Sequence, residues 1–175
     1  MLLKCLYEKV GLPSPPPYLA ISSSSNKPEA FLNGVNFASG GAGILDSTHK
    51  GECLSLNKQI DYFSILYASI VEKNGAVSAI SLLSNSIFIL IIGSNDIFLY
   101  LGNMKITPQQ FLASLISTLQ LQLQKMYNLG GRKFVFVGTG PLGCCPALRV
   151  QTKTGDCNAM ANYVLISIMM QQFLF

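Results

Sequence analysis

Three glycine-rich loops, each placed directly after a run of β-forming residues, constrain this chain more than any other feature. They are Asn36–Gly43 (NFASGGAG) behind Gly34-Val35, Gly93–Asp96 (GSND) behind Ile87–Ile92, and Gly138–Gly143 (GTGPLG) behind Lys133–Val137. Helical periodicity fills the stretches between them, so the order reads strand, loop, helix, and repeats. That alternation implies a parallel sheet with right-handed crossovers. A parallel sheet gathers its strand-to-helix loops at one end, where open α/β folds bind ligands. Glycine lets main-chain N–H groups approach a ligand closely, and asparagine adds a side-chain donor. The loops therefore predict a pocket rich in hydrogen-bond donors.

The helices are read from spacing. Leu56, Ile60, Phe63, Tyr67 and Ile70 recur at steps of four and three, which gives one apolar helical stripe for core packing. A short second helix is expected over Ala76–Ser84. Thr107-Pro108-Gln109-Gln110 spells a capping box with proline at the first helical position. The helix behind it should bury Leu112, Leu115, Leu119, Leu123 and Met126, then stop at Gly130-Gly131. Residues 11–31 are expected to be irregular, with Pro13 and Pro15–Pro17 in polyproline II and Ser22–Ser25 plus Asn26 a flexible connector. A last helix is expected after Cys157.

At 175 residues the chain has room for one domain with a core. Charged residues make up only 11% and hydrophobic ones 50%, against a usual charged share of about 25%. Outer faces normally need more charge, so the composition reads as part of a larger domain with core-facing elements over-represented. The net charge of +4 is scattered, with only Arg132-Lys133 adjacent, which excludes a basic stripe for nucleic acid. Ile87–Ile92 and Tyr163–Phe175 are both shorter than the ~20 apolar residues a membrane helix needs, so no transmembrane segment is expected. The opening MLLKCLYEKVGLP is interrupted by Lys4, Glu8 and Lys9 and has no recognisable signal-peptide core. Five cysteines match no metal-ligand spacing.

The loops and their flanks resemble the plant GDSL esterase/lipase family of SGNH hydrolases. The resemblance runs through Gly11–Leu19 (GLPSPPPYL), Leu32–Asp46 (LNGVNFASGGAGILD), Ser55–Phe63 (SLNKQIDYF), Ser86–Asp96 (SIFILIIGSND) and Tyr127–Cys144 (YNLGGRKFVFVGTGPLGC). It covers roughly residues 10–160, and residues 161–175, where Ile166–Phe175 (ISIMMQQFLF) stands, drift from the family pattern. Several blocks in the family's order make the match specific. It implies a three-layer α/β/α, flavodoxin-like parallel sheet, here incomplete, with residues 1–175 as one partial domain. The family joins a serine in an N-terminal Gly-Asp-Ser motif, a glycine, an asparagine, and a histidine in a C-terminal Asp-x-x-His motif. The resemblance therefore implies hydrolysis of carboxylic esters, lipid or acyl, through a serine acyl-enzyme with no metal or cofactor. It also implies a usually secreted protein.

Carried over position by position, the oxyanion-hole donors are the Gly41 N–H, with Gly40 as fallback, and the Asn95 side-chain amide. The alternative is that Gly40, Gly41 and Gly43 only allow a turn and Asn95 only caps a helix. Two loops in the family's order and flanks favour the pocket. Gly-Asp-Ser occurs nowhere in the chain. Gly155-Asp156-Cys157 has a thiol in place of the hydroxyl, but Thr152-Lys153-Thr154 before it is no strand ending in a nucleophile elbow. Cys157 is expected instead to be structural and to pair with Cys144. Asp46-Ser47-Thr48-His49 spells Asp-x-x-His, yet it follows the glycine block directly, so His49, the only histidine, is expected to be an exposed loop residue. The nucleophile and base are therefore expected to be absent and the chain inactive alone, an inactive remnant or a gene fragment. Gly138, Gly140 and Gly143 also form a dinucleotide fingerprint after a strand, but Pro141 and Pro146 oppose the immediate helix it requires. Exposed strand edges should promote self-association.

Overall fold

A computed structural model describes residues 7–9, 11–22, 31, 34–138 and 140–172. Helix α1 (Tyr18–Ser22) is followed by α2 (Leu56–Asn74), α3 (Ala76–Asn85), strand β1 (Ile87–Leu90), α4 (Ser94–Gly102), α5 (Pro108–Asn128) and strand β2 (Lys133–Phe136). A 3-10 turn (Leu142–Cys144), the short α6 (Pro146–Arg149) and α7 (Ala159–Gln172) complete the order. The Ser-rich connector and most of MLLKCLYEKVGLP lie outside the described residues.

β1 and β2 pair in parallel, with Ile87 opposite Lys133 and Leu90 opposite Phe136. This is the α/β arrangement expected from the alternation of apolar runs and periodic stretches. Alternate side chains of the two strands go to opposite faces. Phe88, Leu90, Phe134 and Phe136 enter the main core with the buried stripe of α2 and of α5. On the other face Ile87 is 64% and Val135 45% exposed, so one side of this apolar sheet is open among the described residues. Parallel sheets are ordinarily covered on both sides. The open face is what an incomplete three-layer fold presents.

α2 starts where the Ser55 side chain accepts a hydrogen bond from the Lys58 N–H. It buries Leu56, Ile60, Phe63, Leu66 and Ile70. Leu66 takes a buried place that the sequence reading gave to Tyr67, which is half-buried. In α5 the expected capping box forms, with the Thr107 hydroxyl bonded to the Gln110 N–H and the Gln110 side chain returning to the Thr107 N–H. That reciprocal pair satisfies two donors that a bare helix start leaves orphaned. The Gly130 N–H then bonds to the Tyr127 carbonyl at φ +102°, where the chain turns out of the helix toward β2.

Two expectations are corrected. Residues 11–22 are not wholly irregular, since Tyr18–Ser22 makes a turn of helix. Val35 does not form a strand: among the described residues the only bridge there is the parallel one between Asn36 and Pro17. A strand exists only through its ladder, and residues 34–38 have a neighbour on one side alone among the described residues. Aromatic rings hold this segment to the sheet instead. Tyr18, Phe37, Phe63, Phe88 and Phe134 form a file with successive centroid distances of 5.2, 6.2, 5.3 and 5.5 Å. Such ring pairs each add about 0.5–1.5 kcal/mol beyond the area they bury.

Candidate active site

The glycine loop and the GSND loop meet at one end of the sheet. Gly93 ends the β1 segment in the left-handed region (φ +109°), which turns the chain into α4 and puts Asn95 and Asp96 in its first turn. From there the Asn95 amide nitrogen donates to the Ala42 carbonyl at 2.8 Å. A carbonyl only accepts, so the amide presents its nitrogen here. The second N–H of that NH₂ group is left to point elsewhere. Gly41, next to Ala42, has φ +80°, a conformation that favours glycine. Its N–H makes no hydrogen bond among the described residues. Gly40, Gly41 and Asn95 all line one groove of about 770 Å³.

Asp96 locks the two loops together. Its carboxylate, 1% exposed, accepts from the Ile44 N–H (2.9 Å), the Leu45 N–H (3.0 Å) and the Thr48 hydroxyl (2.7 Å). An aspartate in the first turn also meets the positive end of the helix. Gly43 passes so close that a Cβ there would lie 2.5 Å from Asp96 Oδ1 and 2.6 Å from Thr48 Cβ. This third glycine of the loop is therefore required by packing. From the other side Gln122 of α5, also 1% exposed, donates its amide to the Ile44 carbonyl at 2.8 Å. Asp96 and Gln122 were not singled out from the sequence. Asp96 had a visible signal, its place beside Asn95, whereas a glutamine inside an amphipathic helix gives none.

His49 is not the exposed loop histidine that was expected. It is half-buried at φ +45°, and its Nδ1 lies 2.8 Å from the Gly41 carbonyl, so Nδ1 carries the hydrogen and donates. The ring thus braces Gly41 through its carbonyl. Asp46, three residues earlier, bonds to Ser55 and to Asn57 (2.9 Å) and not to the imidazole. His49 does not line the groove.

Cys144 and Cys157 form a disulfide across 13 residues of sequence. With its sulfur so engaged, Cys157 has no thiolate to act as a nucleophile. At the end of the Gly138–Gly143 loop the main-chain donors are spent within the chain. The Gly143 N–H donates to Asn162 Oδ1 (2.7 Å), the Cys144 N–H to the Pro141 carbonyl (2.9 Å) and the Cys145 N–H to the Leu142 carbonyl (3.1 Å). A 3-10 turn and a four-residue helix follow in place of the long helix the dinucleotide fingerprint needs. Among the described residues no three His, Cys, Asp or Glu side chains gather as a metal site, and no helix is long and apolar enough to cross a membrane.

Two loops, one bearing Gly41 and the other Asn95, thus meet at one groove at the loop end of an α/β sheet. The sequence profile of the GDSL-like lipase/acylhydrolase family matches residues 6–171, and the chain belongs to that family. It is 35% identical over 165 residues to the GDSL esterase/lipase At5g55050 of Arabidopsis thaliana, covering 89% of this chain and 44% of the relative. It is 40% identical over 169 residues to the GDSL esterase/lipase At5g37690 of the same plant, covering 90% of this chain and 46% of the relative. The chain thus spans less than half the length of these relatives. No solved structure matches it.

Proposed function

We propose that residues 34–138 carry the oxyanion-stabilising half of a carboxylic-ester hydrolase site, with Gly41 and Asn95 as the donors. The observation that carries this reading is the contact between the two loops. The Asn95 amide reaches the carbonyl next to Gly41, and both residues face the same groove. In acyl transfer through a serine ester, the substrate carbonyl oxygen gains negative charge in the tetrahedral intermediate. On this reading the Gly41 N–H and the second Asn95 N–H donate to it. Asp96 and His49 hold the donor loop without touching substrate. The substrate class is a lipid or acyl ester, and the donors ask for no metal or cofactor.

No Gly-Asp-Ser occurs in the sequence, and its one histidine is tied to the Gly41 carbonyl. The 175-residue chain alone should therefore leave p-nitrophenyl butyrate intact, at the rate of a Gly41→Pro, Asn95→Ala control. Turnover that vanishes in His49→Ala would mean that the histidine is a working base and that the chain is a complete catalyst.

The Cys144–Cys157 disulfide suits an oxidising compartment, which supports an extracellular protein. The open sheet face bearing Ile87, Ile91 and Val135 favours self-association. Sedimentation velocity of the isolated chain should give oligomers that grow with concentration. A monodisperse monomer at all concentrations would contradict this.

A further inference from the structure

The loop that carries Gly41 turns on two glycines. The Ala42 N–H donates to the Ser39 carbonyl at 3.2 Å, which closes a β-turn with Gly40 and Gly41 at its centre. Gly41 has φ +80° while Gly40 stays out of the positive-φ region, the mark of a type II turn. Type I differs from type II by about 150° and 170° in the dihedrals on either side of the central peptide. The Gly41 N–H therefore faces opposite ways in the two. Neither glycine has a side chain to choose between them, so contacts from outside the turn make the choice.

His49 makes such contacts at Gly41. Its Nδ1 donates to the Gly41 carbonyl at 2.8 Å. A Cβ built on Gly41 would lie 3.4 Å from that Nδ1, 3.9 Å from the ring Cγ and 3.6 Å from the Cys53 Cβ. The imidazole thus packs on the Cα of Gly41 and holds its carbonyl, the fixed end about which the Gly40–Gly41 peptide would swing. To reach there His49 takes φ +45°, alone among the described non-glycine residues in having positive φ. The Cys53 thiol, 3.6 Å from both the Thr48 and the His49 carbonyls, backs this residue. A side-chain-bearing residue held in the left-handed region points to a function that the strain serves.

We propose that His49 is a positioning residue, which holds the Ser39–Ala42 turn in type II and so aims the Gly41 N–H into the groove. This rests on the reading of Gly41 as an oxyanion donor. The strain at His49 serves the direction of that one N–H. The stability of the loop rests on Asp96, which accepts from the Ile44 and Leu45 N–H groups and the Thr48 hydroxyl. Glycine at position 49 relieves the strain and loses the ring. Asparagine tolerates the left-handed region and carries an amide that can donate to a carbonyl, so it is the conservative replacement.

In the full chain the single histidine gives one unambiguous imidazole signal. A long-range proton–nitrogen correlation spectrum in mildly alkaline buffer should place the hydrogen on Nδ1, and an Nε2–H tautomer overturns the proposal. Turnover needs a nucleophile, so residues 34–138 are grafted over the matching stretch of the At5g37690 relative. There His49→Gly should lower kcat by about tenfold or more, bounded by the roughly 10²–10³ of a lost donor, with KM unchanged. Its melting temperature should stay within about 4 °C of the parent chimera, because relief of strain offsets the lost bond. His49→Asn should bring kcat back to within about threefold of the parent. If Asn95→Ala costs activity and His49→Gly does not, the proposal is overturned and the oxyanion reading stands. If neither costs activity, the oxyanion reading fails and the proposal with it. A fall in kcat matched by a large fall in the melting temperature makes the ring a support of the fold alone, which also overturns the proposal.

Discussion

Replacing Asp96 with alanine should lower the melting temperature by roughly 6–20 °C, or abolish the cooperative melt. The carboxylate is 1% exposed and is the acceptor for the Ile44 N–H, the Leu45 N–H and the Thr48 hydroxyl. Alanine removes all three bonds and leaves donors in a site that closes over them. Each stranded donor costs about 1–3 kcal/mol, so a loss of roughly 3–5 kcal/mol is expected from a total of about 5–15. At about 2–4 °C per kcal/mol for a chain of this size, the shift is large. Asn is a poor rescue, because its NH₂ would face main-chain N–H groups. A melt within 2 °C of the parent would show that the loops are held together by something other than Asp96.

Reduction of the Cys144–Cys157 disulfide should have the second-largest effect. The bridge closes a loop of 13 residues, for which the chain-entropy account gives about 3 kcal/mol. It stands beside a main-chain clamp. The Asn158 N–H donates to the Gly143 carbonyl at 2.8 Å, and the Gly143 N–H to Asn162. Gly143 is in contact with the Asn158 carbonyl so closely that no Cβ fits. Loss of the bridge therefore loosens the docking of the Leu142–Cys144 turn onto α7. Cys157→Ser or thorough reduction should drop the melting temperature by roughly 6–12 °C. An unchanged melt would mean that the clamp holds the turn without the bridge.

Helices were the most legible part of the sequence because their information is local. The stripe Leu56, Ile60, Phe63, Ile70 and the capping box at Thr107 each lie within a few residues of chain, and both elements form as read. The β1–β2 pair was legible as two apolar runs of parallel-sheet character. Val35 was misread because a strand's existence depends on a neighbour, which local composition does not report. The site divides the same way. Gly41 and Asn95 were named as donor candidates from motif order, and the structure brings their loops together. Their supports were not foreseen. Gln122, His49 and Asp96 act across separations of 78, 8 and up to 52 residues, where no periodicity connects the partners.

The central claim is that Gly41 and Asn95 of this chain are donors to an oxyanion. It is tested most directly by placing them beside a working nucleophile. Residues 34–138 should be grafted over the matching stretch of the At5g37690 relative, and hydrolysis measured on an ester that the parent relative turns over. The account predicts an active chimera in which Asn95→Ala lowers kcat by about 10²–10³ with little change in KM. A folded, active chimera whose kcat changes less than about threefold in Asn95→Ala, far short of that loss, would contradict it.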